Sequence, residues 1–169
     1  MNLDQALDGV LSAYKTYYNI NRTSPAAPFA AEAEFHLHDE QYFLIRSARI
    51  SEVDSREHVF FATYPVLDLS AAEKLAETAW QTGLERVRPH ANHRNTDVTL
   101  IVLTEELTDD AAAFVKTAKR YKSYRFGLRG WSQFRMLVYD LHSGRLVHNR
   151  LGENLKGIIN NNKFFKKEG

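Results

Sequence analysis

Four histidines stand in two close pairs, His36 with His38 and His90 with His93. Residues two apart on a strand emerge on one face, so His36 and His38 would stand beside Glu34 and near Asp39; neutral imidazole with carboxylate suits zinc or another divalent cation. His90 and His93 lie in Arg88-Pro89-His90-Ala91-Asn92-His93-Arg94, with Asp97 a few residues on. A turn can bring two such rings to one ion, although Arg88 and Arg94 oppose a dication there. Each pair also has a plainer role. Alternating polar residues solvate the wet face of a strand, and loop histidines satisfy backbone carbonyls near a core. The four together make a metal centre only if the loop crosses the strand face.

The densest chemical signal is KTAKRYKSYRFGLRGWSQFR, residues 116–135. Lys116, Lys119, Arg120, Lys122, Arg125 and Arg129 interleave with Tyr121, Tyr124 and Phe126 and lead into Trp131. Cations beside exposed rings can contact phosphates and stack bases. Alternation of Tyr124, Phe126 and Leu128 with Arg125 and Arg129 favours a simpler expectation: a strand whose aromatic face fills the core while its cations are solvated. Gly127 and Gly130 suggest a bulge or tight turn that aims Trp131.

No nucleophile elbow, phosphate-binding loop, dinucleotide fingerprint or H-E-x-x-H helix occurs. Glu105 and Glu106, with Asp109 and Asp110, read as solvation of a turn and support for a helix start. Cysteine is absent, which excludes disulfides, thiolate nucleophiles and sulfur-ligated metal sites.

The elements that must position these groups are set by periodicity. Leu3, Leu7, Val10, Leu11, Tyr14, Tyr17 and Tyr18 predict an amphipathic first helix, and Ser24-Pro25 and Pro28 separate it from the first strand. Residues 31–37, 42–50 and 58–66 read as a three-stranded antiparallel meander. Ser70-Ala71-Ala72-Glu73 reads as a capping box opening a helix to about Arg88. Val98 to Leu103, continuously apolar, reads as a strand buried on both faces. Thr108 caps a helix running to Arg120, residues 134–141 and 145–148 form a hairpin around Ser143-Gly144, and 152–159 form a last short helix.

The expected fold is a single α+β domain over 1–159, a mixed, mainly antiparallel sheet packed by helices in the order αβββαβαββα, with a flexible tail over 160–169. That is also the order of the restriction-endonuclease-like core. Such nucleases carry an acid and an E-x-K triad on adjacent strands to hold magnesium. Here the third strand reads HVFFATYPV; Glu52 and Asp54 lie near, yet no lysine falls between Lys15 and Lys74. The usual catalytic apparatus is absent.

The chain has 169 residues with 22 basic and 21 acidic side chains, a size suited to one core. Its charge is divided: residues 1–111 hold 9 basic and 18 acidic side chains, while 112–169 hold 13 and 3. No apolar run reaches the length of a membrane span, and Asp4 and Asp8 argue against a signal peptide, so a cytoplasmic location is expected by elimination.

Two segments, RPHANHRNTDVTLIVLTEEL and KSYRFGLRGWSQFRMLVYDL, resemble a family of small, uncharacterised bacterial proteins found among clostridia and related bacteria. In that family a P-H-x-x-H loop and an F-G-x-x-G-W turn each precede a strand. The matching positions are Pro89, His90, His93, Phe126, Gly127, Gly130 and Trp131; the N-terminal Y-x-x-Y helix and EFHLHDEQYFL are similar too. Arg94 departs from the family's usual Met, and the resemblance implies no reaction.

The leading expectation is a non-enzymatic binding or regulatory module. Lys116, Lys119, Arg120, Lys122, Tyr124, Arg125, Arg129 and Trp131 would contact an acidic protein or nucleic acid, with no membrane partner and no cofactor; self-association stays open. The alternatives are a metal-dependent hydrolase with a divalent metal on His36, His38, His90 and His93, and a catalytically inactive nuclease-like structural or oligomerisation module.

Overall fold

A computed structural model describes residues 1–36, 54–88 and 93–166, the side chains of 36, 54, 55, 93 and 94 excepted. In chain order the elements are α1 (Leu3–Ser12), β1 (Asn19–Asn21), β2 (Ala31–His36), β3 (Asp54–Leu67), α2 (Leu69–Glu85), β4 (His93–Leu107), α3 (Asp109–Thr117), β5 (Tyr121–Ser123), β6 (Trp131–Asp140), β7 (Leu146–His148) and α4 (Lys156–Asn160). Short 3-10 turns flank α4 at Arg150–Leu155 and Lys163–Phe165.

The described strands join one sheet in the order β1-β2-β3-β4-β6-β5, with β7 also on β6. Three long strands form its centre: β3 pairs in parallel with β4, and β4 with β6. The other pairings, β1–β2, β2–β3, β5–β6 and β6–β7, are antiparallel, so the sheet is mixed and mainly antiparallel by number of pairings among the described residues. Parallel neighbours need crossovers, which α2 and α3 supply. Both helices pack on one face, against Phe60, Leu100, Phe134 and Met136. On the other face α1 and α4 cover Val59, Phe61, Ile101 and Leu137. Val98 to Leu103 is buried on both faces, as its apolar, β-branched run predicts, Thr99 being the one polar residue in it.

Close approach has a local cause at Gly83: a Cβ there would lie 2.5 Å from Val98 Cγ2, so a bare backbone lets α2 sit directly on β4.

Several expectations are corrected in detail. A meander would interpose residues 42–50 between its outer strands. Instead β2 pairs directly with β3, from Ala31 opposite Phe61 to His36 opposite Arg56, and β1 takes the outer edge of β2; 42–50 lie outside the described residues. Ser70 is not the cap of α2. Asp68 is, its carboxylate accepting from the Ala71 amide at 2.8 Å. That helix ends at Glu85 and α3 at Thr117, each about three residues early, although Val87 and Ala118 just beyond the ends stay buried. Thr108 caps α3 as expected. Residues 161–165 make contacts with the body of the domain. Asn162 Nδ2 donates to Gly9 O at 2.7 Å, and the Phe165 ring meets Tyr139 edge-on at 5.3 Å.

Candidate functional site

The basic, aromatic run is not a core strand. Pairing in β5 covers only Tyr121–Ser123, an exposed edge, after which the chain closes a loop over 124–130. Tyr124 N donates to Gly130 O at 2.9 Å, Gly127 N and Arg129 N both donate to Tyr124 O at 3.1 Å, and Leu128 N donates to Arg125 O at 3.0 Å. The turn is made by left-handed backbone at Arg125 (φ 48°), Phe126 (φ 55°), Gly127 (φ 87°) and Gly130 (φ 81°). Two consecutive non-glycine residues in this region cost about 1–2 kcal/mol each. Phe126 and Leu128 are consequently held in solvent, at 103% and 80% exposure, with Tyr121 at 60%. The expectation that this aromatic face fills the core is therefore wrong: alternation is present, but the strand that would give it meaning stops at Ser123.

Cations surround the tip. Arg125 is exposed, Lys122 Nζ sits 5.6 Å from the Tyr124 ring centroid, and Tyr124 is pinned by a 2.9 Å hydrogen bond to Ser132 Oγ. Burial raises the Tyr124 phenol above its ordinary pKa, partly offset by that bond, so the ring stays neutral. Trp131, half-buried, opens β6. Behind β5 a cleft of about 410 Å³ is lined by Lys116, Lys119, Arg120 and Tyr121 on one side and by Asn149 and Arg150 on the other. Arg120 is partly committed to Glu77 of α2 at 3.5 Å. Lys116, Lys119, Arg120 and Tyr121 thus line the cleft, and Lys122, Tyr124, Arg125 and Arg129 follow them along β5 and the loop.

Asn149 frames that cleft and was not anticipated. Buried at 2% exposure, its Nδ2 donates to Ala118 O and Phe134 O at 3.0 Å, while Oδ1 accepts from Met136 N at 3.0 Å and Gly152 N at 2.9 Å. One side chain ties the end of α3 to β6 and to the turn before α4. The local signal is its place as N-cap of the Arg150–Leu155 turn, accepting from Gly152 N; the bonds to Ala118 and Phe134 have none.

The histidine pairs are placed only in part. His38 and His90 lie outside the described residues, and only the strand positions of His36 and His93 are known. His36 stands opposite Arg56 and His93 opposite Asp54, so they flank the start of β3 on its two sides. Asn95 opposite Trp131 puts the root of the 124–130 loop at that same end of the sheet. Among the described residues no cluster of three or more His, Asp or Glu could hold a metal.

A buried polar cluster on the α1 face also escaped the sequence reading. Register brings Glu57 beside Asp97, and Thr99 beside Arg135 in the next row. Arg135 bridges the acids, reaching Asp97 at 2.8 Å and Glu57 at 3.5 Å. Glu57 also accepts from Thr99 Oγ1 at 2.7 Å and from the Tyr18 hydroxyl. Burial, reinforced by the Glu57 charge, pushes the Tyr14 and Tyr18 phenols well above their ordinary range. Both stay protonated at neutral pH, Tyr18 as a donor. The Tyr14 hydroxyl, Asp97 Oδ1 and Arg135 Nε have no partner among the described residues. With its cation clamped between two carboxylates, the cluster acts as a bolt between three strands and, through Tyr18, the segment that follows α1.

On the opposite face His58, at 3% exposure, has neither ring nitrogen bonded among the described residues. Burial lowers its pKa, opposed by Glu34 and Glu32 and aided by Arg86 and Arg56, which favours neutral imidazole.

Among the described residues no helix is long and apolar enough to cross a membrane. Searches of curated proteins and of solved structures found no match. A family match covers residues 2–161, from the cap of α1 to the residue after α4. It takes in both the loop and the buried cluster, and by it the chain belongs to the family described as domain of unknown function DUF8052.

Proposed function

We propose that this domain is a non-enzymatic binding or regulatory module of the bacterial cytoplasm that engages a polyanionic partner through β5, the 124–130 loop and the adjoining cleft. One observation carries the reading: Phe126 and Leu128 project fully into solvent from a hydrogen-bonded loop amid Lys119, Arg120, Lys122, Arg125 and Arg129. Folding gains nothing from exposing these side chains while straining the backbone beneath them. Such strain is commonly retained where a site uses it. The charge division supports the same face, since the basic segment lies beyond the acidic one in the chain and forms this edge of the sheet.

The test is binding at low salt to polyglutamate, RNA and DNA, measured by mobility and anisotropy. Binding that weakens with salt, and weakens further in Lys119→Gln/Lys122→Gln/Arg125→Gln, is expected. Unchanged mobility with every polyanion would overturn the proposal. A second reading, the His-ligated metal-dependent hydrolase, draws on the register that puts His36 and His93 on either side of β3. Zinc or manganese raising the melting temperature of untagged protein, with loss of the effect in His36→Ala/His93→Ala, would support it.

A further inference from the structure

We infer that the polyanion is an anionic phospholipid surface, into whose interfacial region the 124–130 loop inserts Phe126 and Leu128. This rests on the proposed polyanion-binding face and names its partner.

Shape favours a bilayer over the other polyanions. Phe126 and Leu128 stand out from a convex tip, and a Cβ added at Gly127 between them would meet nothing within 4 Å. Nucleic acid would be gripped by flat rings along a groove; Leu128 has no ring face. A protein would have to supply a pocket for both side chains, whereas a bilayer accepts any apolar group that protrudes far enough. Charge agrees. Stable attachment takes two signals, an apolar insertion and a basic patch, and both occur within one short stretch: Lys122, Arg125 and Arg129 adjoin the two apolar residues. Lys and Arg near an anionic leaflet strengthen attachment about 5-fold each. Rigidity favours insertion too, because five backbone hydrogen bonds within the loop fix the tip before binding, so little ordering cost remains.

The experiment is co-sedimentation of the intact chain with vesicles of phosphatidylcholine alone or with about one third phosphatidylglycerol. Mixed vesicles should bind the wild type at least tenfold better than neutral ones. Phe126→Ser/Leu128→Ser should cut that binding by about 30-fold or more, and Lys122→Gln/Arg125→Gln by about 25-fold, two cations at 5-fold each. These four side chains are exposed, so circular dichroism and melting temperature should match the wild type. Depth can be read directly, because the chain has no cysteine. A polarity-sensitive dye on Leu128→Cys should shift blue on mixed vesicles and be quenched by lipid-borne nitroxide, while the same dye on Ser143→Cys, in the turn at the far end of β6, should not. Equal binding by the serine variant, or an unshifted dye, overturns insertion. No vesicle binding together with salt-sensitive binding of RNA or polyglutamate overturns this inference and leaves the proposed function standing; no binding to any polyanion overturns both.

Discussion

Replacing Arg135 by Met keeps the side chain's apolar stem and removes the one cation seen bridging Glu57 and Asp97 among the described residues. The carboxylates are 9% and 10% exposed, the guanidinium 21%. Neighbouring strands lie about 4.8 Å apart, so the change strands two like charges side by side in poorly solvated surroundings. Breaking a buried pair by deleting one partner costs about 3–5 kcal/mol, and here two acids lose the same partner. At roughly 2–4 °C per kcal/mol for a chain of this size, the melting temperature should fall by roughly 6–20 °C. Urea unfolding followed through Trp80 and Trp131 fluorescence gives the free energy directly. One feature separates this account from simple loss of packing. Arg135→Met/Asp97→Asn should be more stable than Arg135→Met alone, because the neighbouring charge is gone. A loss below about 1 kcal/mol, or an Asn double variant less stable than the single, would refute the reasoning.

Asn149→Ala removes four hydrogen bonds from a buried site, leaving the Ala118 and Phe134 carbonyls and the Met136 amide without that partner while Gly152 N keeps its bond to Asn149 O, and should cost roughly 3–5 kcal/mol by urea titration. Asn149→Asp should not restore it, since a carboxylate faces the Ala118 and Phe134 carbonyls without donors. Asp68→Ala should lose about 1 kcal/mol of helix-cap stability while Ser70→Ala stays within about 0.5, as thermal melts of the two variants would show. Burial lowers the His58 pKa in the folded state, so its contribution is fully present above the ordinary value of about 6.5 and is lost as pH falls through the lowered one. His58→Leu should flatten that part of the stability profile between pH 7 and 5.

The periodic elements were legible where one local signal sufficed. The apolar, β-branched run at Val98 is buried on both faces, the stripe of α1 faces the sheet, and Thr108 caps α3. Ser70 misled because it and Asp68 are both good caps two residues apart, and backbone geometry chooses between them. The candidate basic surface was legible as composition. Its apolar tip was not, since alternation over Tyr124, Phe126 and Leu128 reads as a strand until two left-handed residues and Gly127 turn the chain out into water. Glu57 stands between Arg56 and His58, Asp97 between Thr96 and Val98, and Arg135 between Phe134 and Met136, and nothing local distinguishes them from solvated charges.

From the amino-acid order alone come the α+β class, the absence of thiol chemistry, the buried central strand, and a cationic, aromatic stretch after α3. Those properties depend on period, composition and near neighbours. Register across the sheet was decided only in the tertiary structure. It puts Glu57 against Thr99 from 42 residues away and sets Arg135 between two acids, while the two crossovers leave β5 as an exposed edge with its loop standing free of the core. A strand's pattern says which face is dry. Which side chains meet across it, and which are left in solvent, depends on where the neighbouring strands come to rest.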